Sequence, residues 1–407
     1  VPRTVALLGQ FGIGNLGNEA SLDVGLELAR AAGAEPLVIT GRPGEVATRR
    51  GVVTRALNDP AAPRGGAHGL LGKLADARWA WRSVAAVDAV VVPGTGIFEG
   101  LAIRATEAPL TLLWHAWAAR LQRKPFLVLS VGADRAASAL TRVLFRWAMA
   151  ASTTLSVRDE QSADAVQALG VRRRPRVVPD LVLGQEPPSG RTAGSGVRPG
   201  GVAIGVLAPD GIGTRDGWWD AGDYVARCAA LAGALLDAGR EVRIVVGAEV
   251  DRPTASAVLR QLGGRAGVDV VPAATMGELE QVFVGCDVVV AARYHNLIAA
   301  LRAAVPVVSL GYGDKQRSLV AAFGLSRFAH AVDAFDPVVV ARQVEELAAG
   351  REPYRDRIEG ELALCRAALA VQAKEVVDVL SAGLTVDGTP AQHEDRAGLS
   401  PAEGRHR

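Results

Sequence analysis

Lysine is almost missing from this chain: Lys73, Lys124, Lys315 and Lys374 are all it has, and arginine supplies the rest of its 45 basic residues. Those 45 face 43 acidic ones, for a formal charge of +2. No basic block is long enough to make a nucleic-acid footprint, so nucleic acid is not an expected partner. A lysine inside a motif stands out against this background. Cysteine is equally scarce. Cys228, Cys286 and Cys365 are odd in number, far apart and without metal-ligand spacing. They read as buried thiols in a reducing compartment, and no metal site is expected. No apolar run approaches the ~20 residues of a membrane span. Val1-Pro2-Arg3 leads at once into a strand-like run, which reads as leaving no room for a signal peptide. A cytoplasmic location is the expectation.

What is present is ample burial capacity, with 49% apolar residues over 407 positions, enough for two α/β domains. Short runs rich in valine and isoleucine alternate with stretches of helical period, as in parallel βαβ units. Strands are expected at 4–8, 35–39, 89–92, 125–130, 154–156 and 176–178, then at 202–207, 241–246, 268–271, 288–290 and 306–310. The segment 186–200, rich in Pro, Gly and Ser, reads as a linker. The expected architecture is therefore α/β, two doubly wound Rossmann-like domains facing across a cleft. The first spans 1–185 and the second 201–350, with ligands at the carboxyl ends of the strands. A long amphipathic helix is expected at 356–380, within a C-terminal helical segment 351–380. The segment 59–69 reads as a surface loop, and the tail 381–407, without apolar periodicity, as disordered.

Five segments fall at expected strand ends. Gly9-Gln-Phe-Gly12-Ile-Gly14-Asn15-Leu-Gly17-Asn18-Glu19 follows the first strand and opens a helix, where glycines and free amides suit a polar or anionic ligand. Gly12, Gly14 and Gly17 also fit a dinucleotide pattern. However, the strand ends three residues too early, and Thr40-Gly41-Arg42 lacks the acidic ribose contact. A structural tight turn is the remaining alternative. The second segment, Pro93-Gly94-Thr95-Gly96-Ile97-Phe98-Glu99, is another glycine turn after a buried strand. In the third, Ser156-Val157-Arg158-Asp159-Glu160, Arg158 either faces the cleft or pairs with Asp159 or Glu160 at a helix cap. The fourth, Arg293-Tyr294-His295-Asn296, places a cation and an imidazole two residues apart at a helix N-terminus. That position attracts phosphate. The fifth, Gly311-Tyr312-Gly313-Asp314-Lys315, carries a lysine that is either a second anion contact or a solvated turn residue.

In order and spacing these segments resemble the polysaccharide pyruvyl transferase family, over roughly residues 4–330. The family's glycine-rich loop is matched by Gly12 to Glu19, its glycine cluster by Pro93 to Gly96, and its Ser-Val-Arg-Asp-Glu run by Ser156 to Glu160, followed by Asp180. Its C-terminal hallmark is matched by Arg293-Tyr294-His295, then Ala304-Val-Pro-Val-Val308, Tyr312 and Lys315. Asn18 replaces the usual aspartate and Tyr294 the usual leucine. Pro93 and Thr95 interrupt the glycine cluster, and Val131-Gly132-Ala133-Asp134 is not the usual glycine-rich loop. These departures lie mostly on the N-terminal side.

The resemblance implies a fold similar to GT-B glycosyltransferases. It also implies transfer of the enolpyruvyl unit of phosphoenolpyruvate to hydroxyls of a glycan or its lipid- or nucleotide-linked precursor, with no metal and no cofactor. Arg158, Arg293 and Lys315 would bind phosphoenolpyruvate, and His295, with a pKa near the working pH, would be the general acid/base. The loops with Gly12, Gly14, Asn15, Gly17, Asn18, Glu19, Gly94 and Gly96 would face the acceptor. Peripheral contact with a lipid-linked substrate at the membrane stays open. A sugar-nucleotide glycosyltransferase is the alternative, with Asp251 or Glu278 as its acidic ribose contact. A catalytically inert glycan-binding relative is the other.

Overall fold

The computed structural model describes residues 3–63, 69–99, 107–134, 138–186, 201–208 and 220–382. Segment 187–200 of the expected linker, residues 64–68 of the expected loop and 383–407 of the expected tail lie outside these.

The first sheet is built from β1 (Arg3–Leu8), β2 (Ala34–Thr40), β3 (Val53–Ala56), β4 (Ala89–Pro93), β5 (Phe126–Val131), β6 (Thr154–Val157) and β7 (Arg176–Val177). Its order is β3-β2-β1-β4-β5-β6-β7, and the pairs are parallel. The second contains β8 (Gly201–Gly205), β9 (Glu241–Val246), β10 (Val268–Pro272), β11 (Val288–Ala291), β12 (Val307–Gly311) and β13 (Ala329–Ala331), in the order β10-β9-β8-β11-β12-β13. Both orders are doubly wound and reverse direction between a half's first and fourth strands. A crevice opens there at the carboxyl edge.

Both faces of the first sheet are covered, which explains why its strands read as continuous apolar runs. In β1, Val5 and Leu7 join a core that runs on into the second sheet. Ala6 and Leu8 instead join a separate core with Leu112 and Phe145 from the helices on the opposite face. Two short edge strands, β3 and β13, add to the expected set, and the strand expected at 202–207 runs Gly201–Gly205. Cys228 and Cys286 are buried free thiols, as expected, whereas Cys365 is only half-buried.

The last helix, Arg351–Ala382, begins five residues before the expected 356, because Pro353 is tolerated in a first turn. It ties the two halves together. Near its start Arg351 pairs with Asp287 at 3.0 Å, and Arg357 donates to the Gly324 carbonyl at 3.2 Å. Further along, Gln372 accepts from the Ser156 hydroxyl at 2.6 Å and donates to the Ser130 hydroxyl at 3.1 Å. Arg3 then closes on the Leu380 carbonyl at 3.0 Å. Among the described residues no helix is long and apolar enough to cross a membrane.

Candidate functional site

A cavity of about 240 Å³ lies between the carboxyl edges of the two sheets. Of the residues singled out in the sequence, Asn15, Gly17, Asn18, Gly94, Gly96, Arg158, Arg293, His295 and Lys315 line it. Gly12, Gly14 and Glu19 do not. Glu19 is turned back into the loop, where its carboxylate accepts from the Gly12 amide at 2.7 Å. Gly12 and Gly14 have φ of 78° and 77°, conformations that suit glycine. The same loop sets Asn15 as the cap of helix Leu16–Ala31, its side chain accepting from the amides of Gly17 and Asn18. Three of the residues assigned to an acceptor loop thus shape that loop from behind.

Glu99, a residue that sequence reasoning left out of the site, is the hub of the cavity. Arg158, at the end of β6, donates to it from the first sheet. Lys315, past the end of β12, reaches it from the second at 2.9 Å. Burial alone would raise the Glu99 carboxyl, but the charges of Lys315 and then Arg158 outweigh it and hold the group down at about 2. Lys315 is therefore a cleft residue, and the solvated-turn alternative is set aside. Arg158 also lies 3.6 Å from Asp159 and 3.9 Å from Asp180, so the expected helix-cap pairing is present as a minor contact. Asp159 itself caps helix Glu160–Ala168.

Tyr294 takes part here rather than merely filling space. The Arg158 guanidinium carbon sits 4.6 Å from its ring centroid and the Lys315 ammonium 5.9 Å, both within cation–π range. Gly132 makes the arrangement possible, because a Cβ there would come within 2.4 Å of the Arg158 guanidinium and 2.7 Å of the Glu99 carboxylate.

Arg293 is held from beneath. Asp251, fully buried after β9, takes both its Nε and its Nη2 at 2.5 Å and accepts the Ala208 amide at 2.7 Å. This two-point grip fixes the guanidinium plane at the N-terminus of helix Tyr294–Arg302. It also corrects the expectation for Asp251 as a ribose contact, since its oxygens are already taken. Glu278, the other candidate, belongs to a reciprocal helix cap. It accepts from Ala274 N at 2.8 Å, while its own amide donates to Thr275 at 3.1 Å.

His295 is buried, and its Nε2 has no hydrogen-bond partner among the described residues. Burial, and after it the charge of Arg293, push the imidazole down to about 3. The expectation of a pKa near the working pH is corrected accordingly: in the free protein the ring is neutral. Gly247 leaves room for it, as a Cβ there would stand 2.9 Å from Nε2. His295 lines the cavity, while its ring nitrogen lies against Gly247, whose backbone offsets part of the depression. The cavity thus joins three cations, a neutral imidazole and two carboxylates, Asp180 and Glu99, the second of which bridges the sheets. Among the described residues no cluster of three or more His, Cys, Asp or Glu could hold a metal ion.

Similar folds occur in enzymes of sugar metabolism. The UDP-GlcNAc 2-epimerase from Neisseria meningitidis, solved with UDP-GlcNAc, superimposes with a TM-score of 0.60 at 12% identity, covering 92% of this chain and 100% of that one. HepE from Anabaena, solved with UDP-glucose, gives 0.57 at 13% identity over 93% and 99%. A glycosyltransferase from Rickettsia africae gives 0.57 at 11% over 93% and 98%. At these identities the likeness establishes the GT-B-type fold. No curated protein matches the chain by sequence. The profile described as "Polysaccharide pyruvyl transferase" matches residues 15–314, which take in eleven of the thirteen strands and the cavity residues from Asn15 to Tyr312. The chain belongs to the polysaccharide pyruvyl transferase family.

Proposed function

We propose that this protein transfers the enolpyruvyl unit of phosphoenolpyruvate to two hydroxyls of a glycan or glycan precursor, forming a pyruvate ketal. The observation that carries this reading is the convergence of Arg158 and Lys315, from different sheets, on a single carboxylate. Glu99 stands where an anionic substrate would be gripped, and Arg293 adds a third cation a strand away. Phosphoenolpyruvate offers a carboxylate and a phosphate to these three groups.

The chemistry balances with the side chains present. One sugar hydroxyl adds across the enol double bond, its oxygen to the central carbon and a proton to the methylene carbon. His295, neutral in the free protein, takes the hydroxyl proton and as imidazolium supplies the one that reaches the methylene. The bound dianionic phosphate favours that imidazolium. Loss of inorganic phosphate and attack by the second hydroxyl close the ketal, the last proton leaving with phosphate. The acceptor enters beside Asn15, Asn18 and the glycine turn at Gly94 and Gly96.

A nucleotide-sugar reading has one observation in its favour, the fold shared with proteins solved with UDP-sugars. Against it, Asp251 is engaged inside the fold with Arg293, and Glu278 is taken up by an exposed helix cap. Thermal melts discriminate. Phosphoenolpyruvate at a hundredfold excess over Kd should stabilise the protein by about 2.7 kcal/mol, and UDP-N-acetylglucosamine should leave the melting temperature unchanged. The opposite pattern would reject the pyruvyl-donor assignment.

A further inference from the structure

Three helices, Gly69–Ala85, Ala108–Leu121 and Ala139–Ala150, pack side by side over the outer face of the first sheet. Their inward sides carry Val84, Leu112, Ala116, Phe145 and Met149. Their outward side is apolar as well. Leu70, Leu71 and Leu74 are 74%, 57% and 58% exposed, and Leu140, Val143 and Trp147 are about as open. Trp147 leans on Trp117 with ring centroids 5.6 Å apart, and Trp81 is nearly half exposed. So many large apolar groups on neighbouring helices mark a face that meets something.

Charge identifies what it meets. Arg78, Arg82, Arg120, Arg142 and Arg146 are exposed among these apolar groups, and none pairs with an acidic group among the described residues. The three helices contain one acidic residue, Asp76, and it is buried. Apolar and basic side chains alternate along the surface, as Leu74 with Arg78, Trp81 with Arg82, Val143 with Arg142 and Trp147 with Arg146. A face of single sign, with tryptophans and with arginines whose stems can lie along apolar surface, has the chemistry of a bilayer-surface site. A protein partner of mixed charge would leave acidic residues on this side too.

We propose that this face docks on an anionic phospholipid bilayer. Helices that follow parallel strands begin at the carboxyl edge of the sheet. Leu70, Leu71, Leu74, Leu140 and Val143 all stand in the first two turns of their helices, which places the apolar groups at the rim that carries the cavity. Docking would bring the cleft mouth to the level of the lipid headgroups, where a lipid-linked acceptor presents its sugars. This last consequence rests on the pyruvyl-transfer reading; the docking itself does not.

Vesicle co-sedimentation of the full chain tests it. The protein should pellet with phosphatidylcholine vesicles containing phosphatidylglycerol, pellet little with phosphatidylcholine alone, and be released in part by high salt. Arg142→Glu combined with Arg146→Glu should lower the bound fraction at least about tenfold, and Trp147→Ser should lower it with both charges kept. Melts with and without phosphoenolpyruvate, unchanged in these variants, would show that the fold and the cavity are intact, so that this result and the donor assignment are read separately. Equal pelleting of wild type and the charge-reversed variant would overturn the proposal. So would absence of pelleting together with a dimer in solution that Leu70→Ser and Leu74→Ser dissociate, which would assign the face to a second copy of the chain.

Discussion

His295→Ala is expected to lower turnover by about 10²–10⁴-fold while phosphoenolpyruvate affinity stays within a few-fold. His295 lines the cavity, and in the proposed reaction the cations beside it would carry the donor's charge. Removing the ring should spare binding and cost the proton transfers. The same account makes a spectroscopic forecast. Because burial and Arg293 hold the imidazole near 3, its ring resonances should remain those of a neutral imidazole from pH 8 to pH 5 in the free protein. They should shift toward the protonated form when phosphoenolpyruvate is added, since a dianion beside the ring offsets the cations. If the imidazole had only a packing role, His295→Ala would lose thermal stability, and activity would fall in proportion to folded protein. A folded His295→Ala with normal turnover would remove the residue from the mechanism.

Asp251→Ala is expected to destabilise the fold by about 3–5 kcal/mol, read from urea unfolding. The substitution removes the two-point carboxylate partner of a buried guanidinium and the acceptor of the Ala208 amide together. Asp251→Asn should cost less, because an amide oxygen still accepts one hydrogen bond. Pairing Asp251→Leu with Arg293→Met should recover much of the loss, as replacing a buried ion pair by apolar groups of similar size is often close to neutral. That pair should nevertheless bind phosphoenolpyruvate poorly, one charge-assisted contact being worth about 1.5–3 kcal/mol. If Asp251→Ala were as stable as wild type, Arg293 would not depend on that carboxylate.

The architecture was legible in the sequence because parallel strands buried on both faces leave unbroken apolar runs, several of which end at a glycine, as at Gly9, Gly41, Gly94 and Gly247. What escaped were β3 and β13, edge strands of four and three residues held by backbone pairing, with no apolar pattern to announce them. The cations and His295 could be found because each sits directly at a strand end. Glu99 could not. Its partners stand 59 and 216 positions away, and nothing local separates it from a solvated loop residue. Asp251 was noticed, but for the wrong neighbour, since only folding brings β9 beside β11's outgoing turn through β8. The pKa of His295 was missed for the same reason: the burial that dominates it comes from packing of the second sheet, which no local pattern reports.

Calorimetric titration of phosphoenolpyruvate into the wild-type chain and into Lys315→Ala and Arg158→Ala tests the central claim most directly. The account predicts one saturable site per chain in the wild type. Each variant should be weaker by roughly ten- to a hundredfold, as expected for a lost charge-assisted contact. No saturable heat with phosphoenolpyruvate, or the same affinity in all three proteins, would contradict it.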